Sequence, residues 1–330
     1  MTLKTRDSVQ DLQRAIEEKI TQYPYGAEPE SLYEPIRYLL AIGGKRLRPV
    51  LTLLGYRLFA SATEEVLTPA AAVEVFHNFT LMHDDIMDKA PLRRGKPTVH
   101  ERWDANTAIL SGDVMLVKAY DMLLEMDGRY LKQMLLRFNR TAAEVCEGQQ
   151  LDMNFEQMDT VSEEQYIHMI RLKTAVLLGF ALELGATLGG ASKEEVAKLY
   201  DFGVYVGIGF QLMDDLLDVY ADQEKFGKQV GGDIIANKKT FLLLKALELA
   251  DGELKDRLDV ALHTAAFSAD EKVHEVTAIY DALGIKQITE KKMNDYFERG
   301  FAALAAIDCP HPEAKATLEG LTRGLITREY

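Results

Sequence analysis

Apolar residues recur three and four positions apart along most of this 330-residue chain. Within residues 7–22, for example, Leu12, Ile16 and Ile20 would lie on one face of a helix. The same spacing occurs in further segments, at 31–42, 46–60, 68–88, 105–126, 129–151, 163–190, 193–220 and 237–250. Strand-like alternation of apolar and polar residues is hard to find. The pattern therefore predicts an all-α fold of roughly ten or more helices, packed as in helical bundles.

The segments that break this helical pattern are short. Pro24-Tyr25-Gly26 and Gly189-Gly190 are typical of them, and none reads as an interdomain linker. The sequence has no low-complexity tract and no repeat of fixed period. We therefore expect a single domain over residues 1–330.

Composition excludes several classes of protein. The net charge of −14 argues against nucleic acid as a partner, because a phosphate backbone requires a basic surface. The two cysteines, Cys146 and Cys309, cannot form a disulfide framework and favour a reducing, cytoplasmic location. The N-terminus has no apolar signal segment. The most apolar stretch, 174–190, contains Glu183 and is interpreted as a buried helix, so no integral membrane segment is expected.

Two aspartate clusters carry the strongest chemical signal. They are Asp84-Asp85-Ile86-Met87-Asp88 and Asp214-Asp215-Leu216-Leu217-Asp218. In a helix, residues four apart lie about 40° apart around the axis and about 6 Å along it, so the first and last aspartates of each cluster share a face. Like charges in this arrangement repel each other, and apolar residues flank both clusters. The clusters therefore predict binding of a compensating cation.

The ligand type indicates magnesium. Mg²⁺ prefers oxygen, keeps several waters, and typically takes one or two carboxylates together with substrate phosphate oxygens. Two such faces opposite each other could hold a diphosphate between metal ions. A single cluster of this kind is more often a solvated acidic face, but two in apolar helices are not explained that way. His83-Asp84 could instead suggest a phosphohydrolase, although the other histidines lack the spacing of metal ligands.

Basic residues lie near both clusters in the sequence. Before the first cluster, Gly43-Gly44 is followed by Lys45, Arg46 and Arg48, which could converge on an anion. The remaining cations are Arg93 and Arg94 after the first cluster, Lys173 at the start of the apolar stretch, and Lys228 and Lys238 after the second cluster. Each alone could be a solvated surface group. Together they supply the positive charge that a diphosphate requires.

These motifs, in this order and spacing, resemble those of the trans-isoprenyl diphosphate synthases, also called the polyprenyl synthetase family. The resemblance extends from about Tyr33 to about Lys245, and the C-terminal third adds no motif. The matching stretches are Gly43-Gly44-Lys45-Arg46-Leu47-Arg48-Pro49, His83-Asp84-Asp85-Ile86-Met87-Asp88, Leu92-Arg93-Arg94-Gly95, Lys173-Thr174, Phe210-Gln211-Leu212-Met213-Asp214-Asp215-Leu216-Leu217-Asp218, Gly227-Lys228, Gly231-Gly232-Asp233 and Asn237-Lys238.

The resemblance implies an all-α isoprenoid-synthase-type bundle around a central cavity, a homodimer, and a role for each matching residue. The residues expected to bind isopentenyl diphosphate are Lys45, Arg48, His77 and Arg94. Those expected to bind the allylic diphosphate are Arg93, Lys173, Lys228 and Lys238, with Thr174 and Gln211 beside the reacting carbon. Of three Mg²⁺ ions, two would be bound by Asp84 and Asp88 and the third by Asp214. The supporting carboxylates would be Asp85, Asp215 and Asp218.

The same resemblance bears on product length. In this family, bulky residues four or five positions before the first cluster close the tunnel for the growing chain, and here these are Thr80 and Phe79. Helical angles alone favour Thr80 as the residue facing substrate. An aromatic residue in the position of Phe79 resembles the geranylgeranyl (C20) type. We therefore expect a C20 product, with farnesyl (C15) or longer products as alternatives and Phe79 as a simple core residue also open.

Two alternative functions are a terpene cyclase and a non-catalytic subunit of a heteromeric synthase. A terpene cyclase usually carries a different triad in place of the second cluster, and this chain keeps all three aspartates, Asp214, Asp215 and Asp218. A non-catalytic subunit of a heteromeric synthase tends to lose one cluster, and both are intact here. The sequence therefore favours a catalytic, magnesium-dependent prenyltransferase.

Overall fold

Several helices begin where the sequence supplies a capping side chain. The computed structural model describes residues 7–61, 64–221, 231–263 and 267–327. At the start of helix α1 (Val9–Gln22), the Ser8 side chain accepts the backbone N–H of Asp11, and the Asp11 side chain accepts that of Ser8. The apolar stripe predicted for this segment is buried, including Leu12 and Ile16.

Helices form nearly all the regular structure of the described residues, so the predicted all-α fold is confirmed. The helices after α1 are α2 (Glu30–Ala41), α3 (Leu47–Arg57), α4 (Glu64–Met87), α5 (Val99–Arg102), α6 (Ala105–Leu123), α7 (Gly128–Glu156), α8 (Glu163–Ile170), α9 (Val176–Leu188), α10 (Lys193–Tyr220), α11 (Gly232–Ile235), α12 (Phe241–Leu249), α13 (Gly252–His263), α14 (Ala269–Leu283), α15 (Ile285–Ala305) and α16 (Pro312–Ile326). Two short strands, β1 (Leu92–Arg93) and β2 (Lys96–Pro97), pair antiparallel.

One predicted helix is interrupted. The apolar periodicity of 163–190 suggested one continuous helix, but a π-helical turn at Arg171–Ala175 separates α8 from α9. Periodicity alone does not reveal a π-turn, because the turn inserts one residue without changing the apolar composition. Such turns are frequent at functional sites, and this one carries Lys173 and Thr174.

The chain divides into two compact units. Unit 1 comprises residues 1–139, 180–200 and 307–321, and unit 2 comprises 140–179, 201–306 and 322–330. In unit 1, the ring of Phe138 packs against those of Phe76 and Phe180, at centroid distances of 5.0 and 5.7 Å. All three rings are fully buried. This aromatic cluster lies behind the residues of α4 that were predicted to limit product length.

Small residues allow close backbone contact in unit 2. A methyl group on Gly203 would overlap the backbone of Gly179, and one on Gly207 would overlap Ala175. Helix α10 can therefore lie directly against the segment that contains the π-turn. This contact brings the second aspartate cluster, at the end of α10, to the same part of the unit as Lys173 and Thr174.

The apolar segment that raised the question of a membrane span forms α9, whose residues Val176, Leu177 and Phe180 are buried as predicted. Among the helices that the structure describes, none combines the length and the apolar character that crossing a bilayer would require.

Candidate active site

The first aspartate cluster lies at the C-terminal end of α4. The backbone N–H of Asp88 donates to the carbonyl oxygen of Asp84 at 2.8 Å, which continues the helical turn. The three carboxylates differ in exposure: Asp84 is half-buried, Asp88 is exposed, and Asp85 is only 2 % exposed. The outer two aspartates therefore present oxygens at the surface, and the middle one points into the protein.

The buried carboxylate of Asp85 is paired with Arg93. The guanidinium donates from Nε and Nη2 to the two carboxylate oxygens, each at 2.8 Å. The β1–β2 hairpin makes this possible, because Arg94 and Gly95 adopt left-handed conformations, with φ of 52° and 74°, and turn the chain back towards α4. Arg93 is thus held beside the cluster by the same contact that satisfies Asp85.

Arg46 differs from its sequence interpretation. The sequence predicts that it is one of several cations that could converge on an anion, but its side chain is buried and bonded within the protein. Its guanidinium contacts Glu17 at 2.7 Å, Glu74 at 3.0 Å and the carbonyl oxygen of Leu40 at 2.6 Å. With φ of 47°, Arg46 anchors the loop before α3 and leaves Lys45 exposed.

The other predicted cations of unit 1 lie close together. Arg48 Nη1 lies 3.0 Å from His77 Nε2, and the guanidinium of Arg94 lies against Gly44, where a Cβ would collide with it. Burial and the positive charge of neighbouring arginines, Arg48 foremost, hold the pKa of His77 well below its usual value. Burial also lowers the pKa of Arg48 to about 10. His77 is therefore neutral at physiological pH and Arg48 remains charged.

The second aspartate cluster ends α10 and repeats the arrangement of the first. Asp214 is exposed, Asp215 is 4 % exposed, and Asp218 is half-buried. Asp218 Oδ2 accepts the backbone N–H of Asp233 at 3.0 Å and so fixes the start of α11. Burial raises the pKa of Asp218, and it raises that of Asp233 to about 6.

The middle aspartate of this cluster is again bonded on both oxygens. Asp215 Oδ2 is hydrogen-bonded to the hydroxyl of Tyr166, and its Oδ1 accepts from Gln211 Nε2 at 3.3 Å. Burial raises the pKa of Asp215 to about 8. Both clusters thus contain one buried carboxyl with specific partners between two carboxylates that are more accessible.

The π-turn places two predicted residues next to partners in unit 2. Lys173 Nζ lies 2.6 Å from Asp152 Oδ2, and Thr174 Oγ1 donates to Gln211 Oε1 at 3.1 Å. A methyl group on Gly148 would overlap the backbone of Lys173, so α7 lies directly against the turn. Thr174 and Gln211, which were both expected beside the reacting carbon, are therefore direct hydrogen-bond partners.

Of the last two predicted lysines, Lys238 belongs to the described part of the chain. Lys238 Nζ lies 3.7 Å from Asp233 Oδ1 and is about two-fifths exposed. Lys228 lies outside the described residues, and its predicted role stays a prediction.

The two residues predicted to set product length lie on α4, one turn before the first cluster. Phe79 is 9 % exposed and packs between His83 and Phe76, at ring-centroid distances of 4.8 and 5.7 Å. Thr80 is half-buried, and its hydroxyl donates to the carbonyl oxygen of His77 at 2.8 Å.

Sequence reasoning assigned no role to three residues beside the predicted ones, although Asp233 stood in one of the matching stretches. Asp152 pairs with Lys173, Tyr166 with Asp215, and Asp233 with Lys238. Asp152 and Asp233 stand among polar or glycine residues that could have indicated them. Tyr166 carries no such signal, because a tyrosine in an amphipathic helix is typical of a core position.

Comparisons with known proteins identify the family of the chain. The profile of the polyprenyl synthetase family matches residues 29–282. A geranylgeranyl diphosphate synthase of Methanosarcina mazei is 37 % identical over 342 residues, covering 100 % of both chains. A short chain isoprenyl diphosphate synthase of Methanothermobacter thermautotrophicus is 35 % identical, covering 99 % of this chain and 100 % of its own.

Solved structures show the same fold. A crystal structure of a geranylgeranyl pyrophosphate synthase is 42 % identical, with a TM-score of 0.92, covering 98 % of this chain and 100 % of its own. A polyprenyl synthase of Caulobacter crescentus CB15, complexed with calcium and isoprenyl diphosphate, is 29 % identical with a TM-score of 0.81, covering 97 % of this chain and 94 % of its own.

Proposed function

This chain belongs to the polyprenyl synthetase family, and on that premise we propose that it condenses isopentenyl diphosphate with allylic diphosphates. The single observation that supports this most is that both aspartate clusters are complete. Each has its middle carboxyl buried and its outer carboxylates more accessible. A synthase that binds and ionises a diphosphate substrate needs such a carboxylate pair at each cluster.

Divalent metal chemistry fits the residues present. The accessible carboxylates of Asp84 and Asp88 share one end of α4, and Asp214 is exposed at the end of α10. In the described part of the chain, no three histidine, cysteine, aspartate or glutamate side chains are grouped closely enough to bind an ion by themselves. Mg²⁺ fits this donor set because it can share its ligands between one or two carboxylates, water and phosphate oxygens. We assign about three ions, held by Asp84, Asp88 and Asp214.

The basic residues of unit 1 are proposed to bind isopentenyl diphosphate. Arg48 and Arg94 supply charged donors for phosphate oxygens, with Lys45 exposed beside them. The neutral ring of His77 lies 3.0 Å from Arg48 and orients it. Because Arg46 is fully engaged with carboxylates, it is excluded from this set.

The allylic diphosphate is assigned to Arg93, Lys173 and Lys238, with Lys228 as a further expected ligand. Arg93 and Lys173 already lie beside carboxylates, at 2.8 and 2.6 Å. A diphosphate that binds with metal would therefore replace the carboxylates in these two ion pairs or bind beside them. This arrangement keeps the cations fixed before substrate arrives.

The reaction follows from these assignments. The cations hold the allylic diphosphate as its C–O bond breaks and the oxygen takes the electron pair. When bound, Mg²⁺ supplies Lewis-acid stabilisation of that leaving group. The double bond of isopentenyl diphosphate then attacks the allylic carbon and forms the new C–C bond. The resulting cation loses a proton to the departed diphosphate, and Thr174 and Gln211 present oxygens near the reacting carbon.

The product is proposed to be geranylgeranyl diphosphate. Phe79 lies one turn before the cluster and is backed by the buried rings of Phe76 and Phe138. Several relatives, including that of Methanosarcina mazei, are geranylgeranyl diphosphate synthases. An aromatic residue at this point would stop elongation at about the C20 length.

We propose that the chain forms a homodimer through an exposed apolar stripe on α6. Leu110, Val117 and Leu124 are spaced seven residues apart along α6 and its C-cap, so they line one face, and each is more than half exposed. Ile109 beside them is 43 % exposed. A second copy of this chain would cover these side chains.

We propose a cytoplasmic location from the cysteine content. The two cysteines, neither of which forms a disulfide in the structure, favour a reducing cytoplasm. The chain is proposed to act as one catalytic domain over residues 1–330, with both aspartate clusters required for one reaction.

The proposed function is tested by incubating the protein with labelled isopentenyl diphosphate, Mg²⁺ and each of the C5, C10 and C15 allylic diphosphates. We expect elongated products that accumulate at C20 and that disappear when the metal is chelated. If no pairing gives an elongated product, the proposal is wrong.

A further inference from the structure

A continuous chain of hydrogen bonds runs from Tyr166 to Thr174 in unit 2. The Tyr166 hydroxyl is bonded to Asp215 Oδ2, and Gln211 Nε2 donates to Asp215 Oδ1 at 3.3 Å. Thr174 Oγ1 in turn donates to Gln211 Oε1 at 3.1 Å. Tyr166 and Asp215 are 2 % and 4 % exposed, so water cannot easily replace these contacts.

Asp215 determines which way the Gln211 amide faces. An amide presents a donor on one side and an acceptor on the other, and an acceptor directed at Asp215 Oδ1 would be repelled. This holds whether Asp215 is charged or neutral, because a proton shared with Tyr166 lies at Oδ2 and leaves Oδ1 as an acceptor. The amide nitrogen therefore faces Asp215, and the amide oxygen must face Thr174.

The amide orientation in turn determines the polarity at Thr174. Since Gln211 presents an oxygen, the Thr174 hydroxyl donates its hydrogen there and its lone pairs point elsewhere. If the amide rotated by half a turn, its nitrogen would donate to Thr174 and occupy one of those lone pairs. The electron-rich side of the Thr174 hydroxyl is thus fixed by residues that Thr174 does not touch.

Tyr166 is held firmly enough to act in this way. Helix α8 begins with a capping box, and Glu163 in its first turn pairs with Lys245 at 2.7 Å and Lys292 at 2.6 Å. The ring of Tyr166 also packs against Phe241, with 6.5 Å between centroids. The π-turn follows α8 directly, so the tyrosine and the threonine lie on one helical segment.

We infer that Tyr166 is a positioning residue of the reaction: through Asp215 and Gln211, it keeps the lone pairs of Thr174 directed at the carbon that becomes positive when the allylic C–O bond breaks. The inference rests on the proposed function. It assigns Asp215 to orienting the Gln211 amide, and it leaves metal binding to the more accessible Asp214.

The test is Tyr166→Phe in the full-length protein, with steady-state kinetics at saturating Mg²⁺. Removing the hydroxyl loosens Asp215 and lets the amide rotate, so kcat is expected to fall by about 10- to 100-fold. The KM of each substrate, the half-activating Mg²⁺ concentration and the affinity for a non-ionisable allylic thiolodiphosphate should stay within about twofold, because none of these depends on the cationic state. Tyr25→Phe is the matched control, since it removes a buried hydroxyl in unit 1 that has no hydrogen-bond partner among the described residues.

A double-mutant cycle separates positioning from a loss of fold. In a Thr174→Val background there is no hydroxyl to orient, so adding Tyr166→Phe should lower kcat by less than about threefold. Asp215→Asn keeps an oxygen that can accept from the Gln211 amide, and it should retain more of kcat than Asp215→Ala. Thermal unfolding of each variant shows whether the fold is preserved.

If the wild type elongates normally, any of three results would overturn the inference. The first is a kcat of Tyr166→Phe equal to that of wild type, and the second is a double variant whose loss of kcat is the product of the losses in Tyr166→Phe and Thr174→Val. The third is a raised Mg²⁺ requirement that accounts for the lower kcat of Tyr166→Phe. If the wild type itself gives no elongated product, the proposed function fails and this inference fails with it. A lower kcat with unchanged substrate and metal affinities, abolished in the Thr174→Val background, supports it.

Discussion

The ring of Phe76 meets the ring of Phe138 edge to face, with 5.0 Å between their centroids. Phe76 lies one turn of α4 further from the aspartate cluster than Phe79, and Phe180 also packs against Phe138. The proposed stop for the growing chain is therefore backed by further buried rings. Removal of the first ring alone should therefore lengthen the product only to a limited extent.

Phe79→Ala is expected to lengthen the product by only one or two isoprene units, because Phe76 still closes the path behind it. The double variant with Phe76→Ala should lengthen it further, at the cost of about 3 kcal/mol or more in stability. Product length is measured by chromatography after dephosphorylation. Phe301→Ala, which removes a ring that packs on Phe202 in unit 2, is the control, and an unchanged distribution in Phe79→Ala would refute the assignment.

The outer and middle aspartates of the first cluster should respond differently to substitution. Asp84→Asn should raise the half-activating Mg²⁺ concentration by about tenfold or more with little change in stability. Asp85→Asn removes a charged partner from Arg93, so its free energy of unfolding should fall by about 1–3 kcal/mol. Metal titration of activity and urea unfolding measure the two effects. If Asp84→Asn and Asp85→Asn change the Mg²⁺ requirement and the free energy of unfolding equally, the two aspartates do not have these separate roles.

Arg46 should matter for stability rather than for substrate affinity. Arg46→Met leaves the carboxylate of Glu74, which is 4 % exposed, buried without its main partner. The free energy of unfolding should fall by about 3 kcal/mol or more, and Glu74→Met in the same chain should restore part of it. Arg129→Ala breaks an exposed ion pair with Asp127 and should cost less than about 1 kcal/mol. A large rise in the KM for isopentenyl diphosphate with unchanged stability would show that Arg46 binds substrate.

His77 should make stability fall in mild acid. Its pKa is depressed in the folded state by burial and by nearby arginines, Arg48 foremost. The unfolded chain therefore binds a proton near pH 6.5 that the folded chain does not. The contribution of neutral His77 to the free energy of unfolding is fully present above that pH. It is lost as the pH falls below 6.5, by up to about 1.4 kcal/mol per pH unit. Urea unfolding of wild type and His77→Gln between pH 7.5 and 5 measures the difference.

His274, one of the exposed histidines of unit 2, supplies the control for that series. His274→Gln should leave the pH dependence of unfolding close to that of wild type. If His77→Gln follows the same curve as wild type, burial of a neutral His77 is not the source of the acid sensitivity.

The apolar stripe of α6 should carry the dimer contact. Val117→Glu places a charge in the middle of this stripe, so the protein should elute and scatter light as a monomer at micromolar concentration. Leu247→Glu changes an exposed leucine on α12 and should leave the oligomeric state unchanged. A dimeric Val117→Glu protein would exclude this face.

The sequence by itself determined the helices and the spacing of the chemical groups. Periodicity located α1, α4 and α10 because a helix is a local structure, and an apolar stripe reports directly on it. The four-residue spacing of Asp84 and Asp88 likewise fixed their common face before any packing was known. The matching motifs were also sufficient to predict the family, since they span most of the chain.

Only the tertiary structure decided what each of these groups touches. Helical spacing gives the direction of Asp215, but the hydroxyl that meets it comes from Tyr166, 49 positions away. In the same way, Arg46, which the sequence grouped with possible anion-binding residues, is bonded to Glu17, 29 positions earlier in the chain. Such partners depend on how distant segments pack, which the spacing within one helix does not specify. For this reason the sequence predicted a diphosphate site, while the tertiary structure showed which side chains contact the charged residues of the motifs.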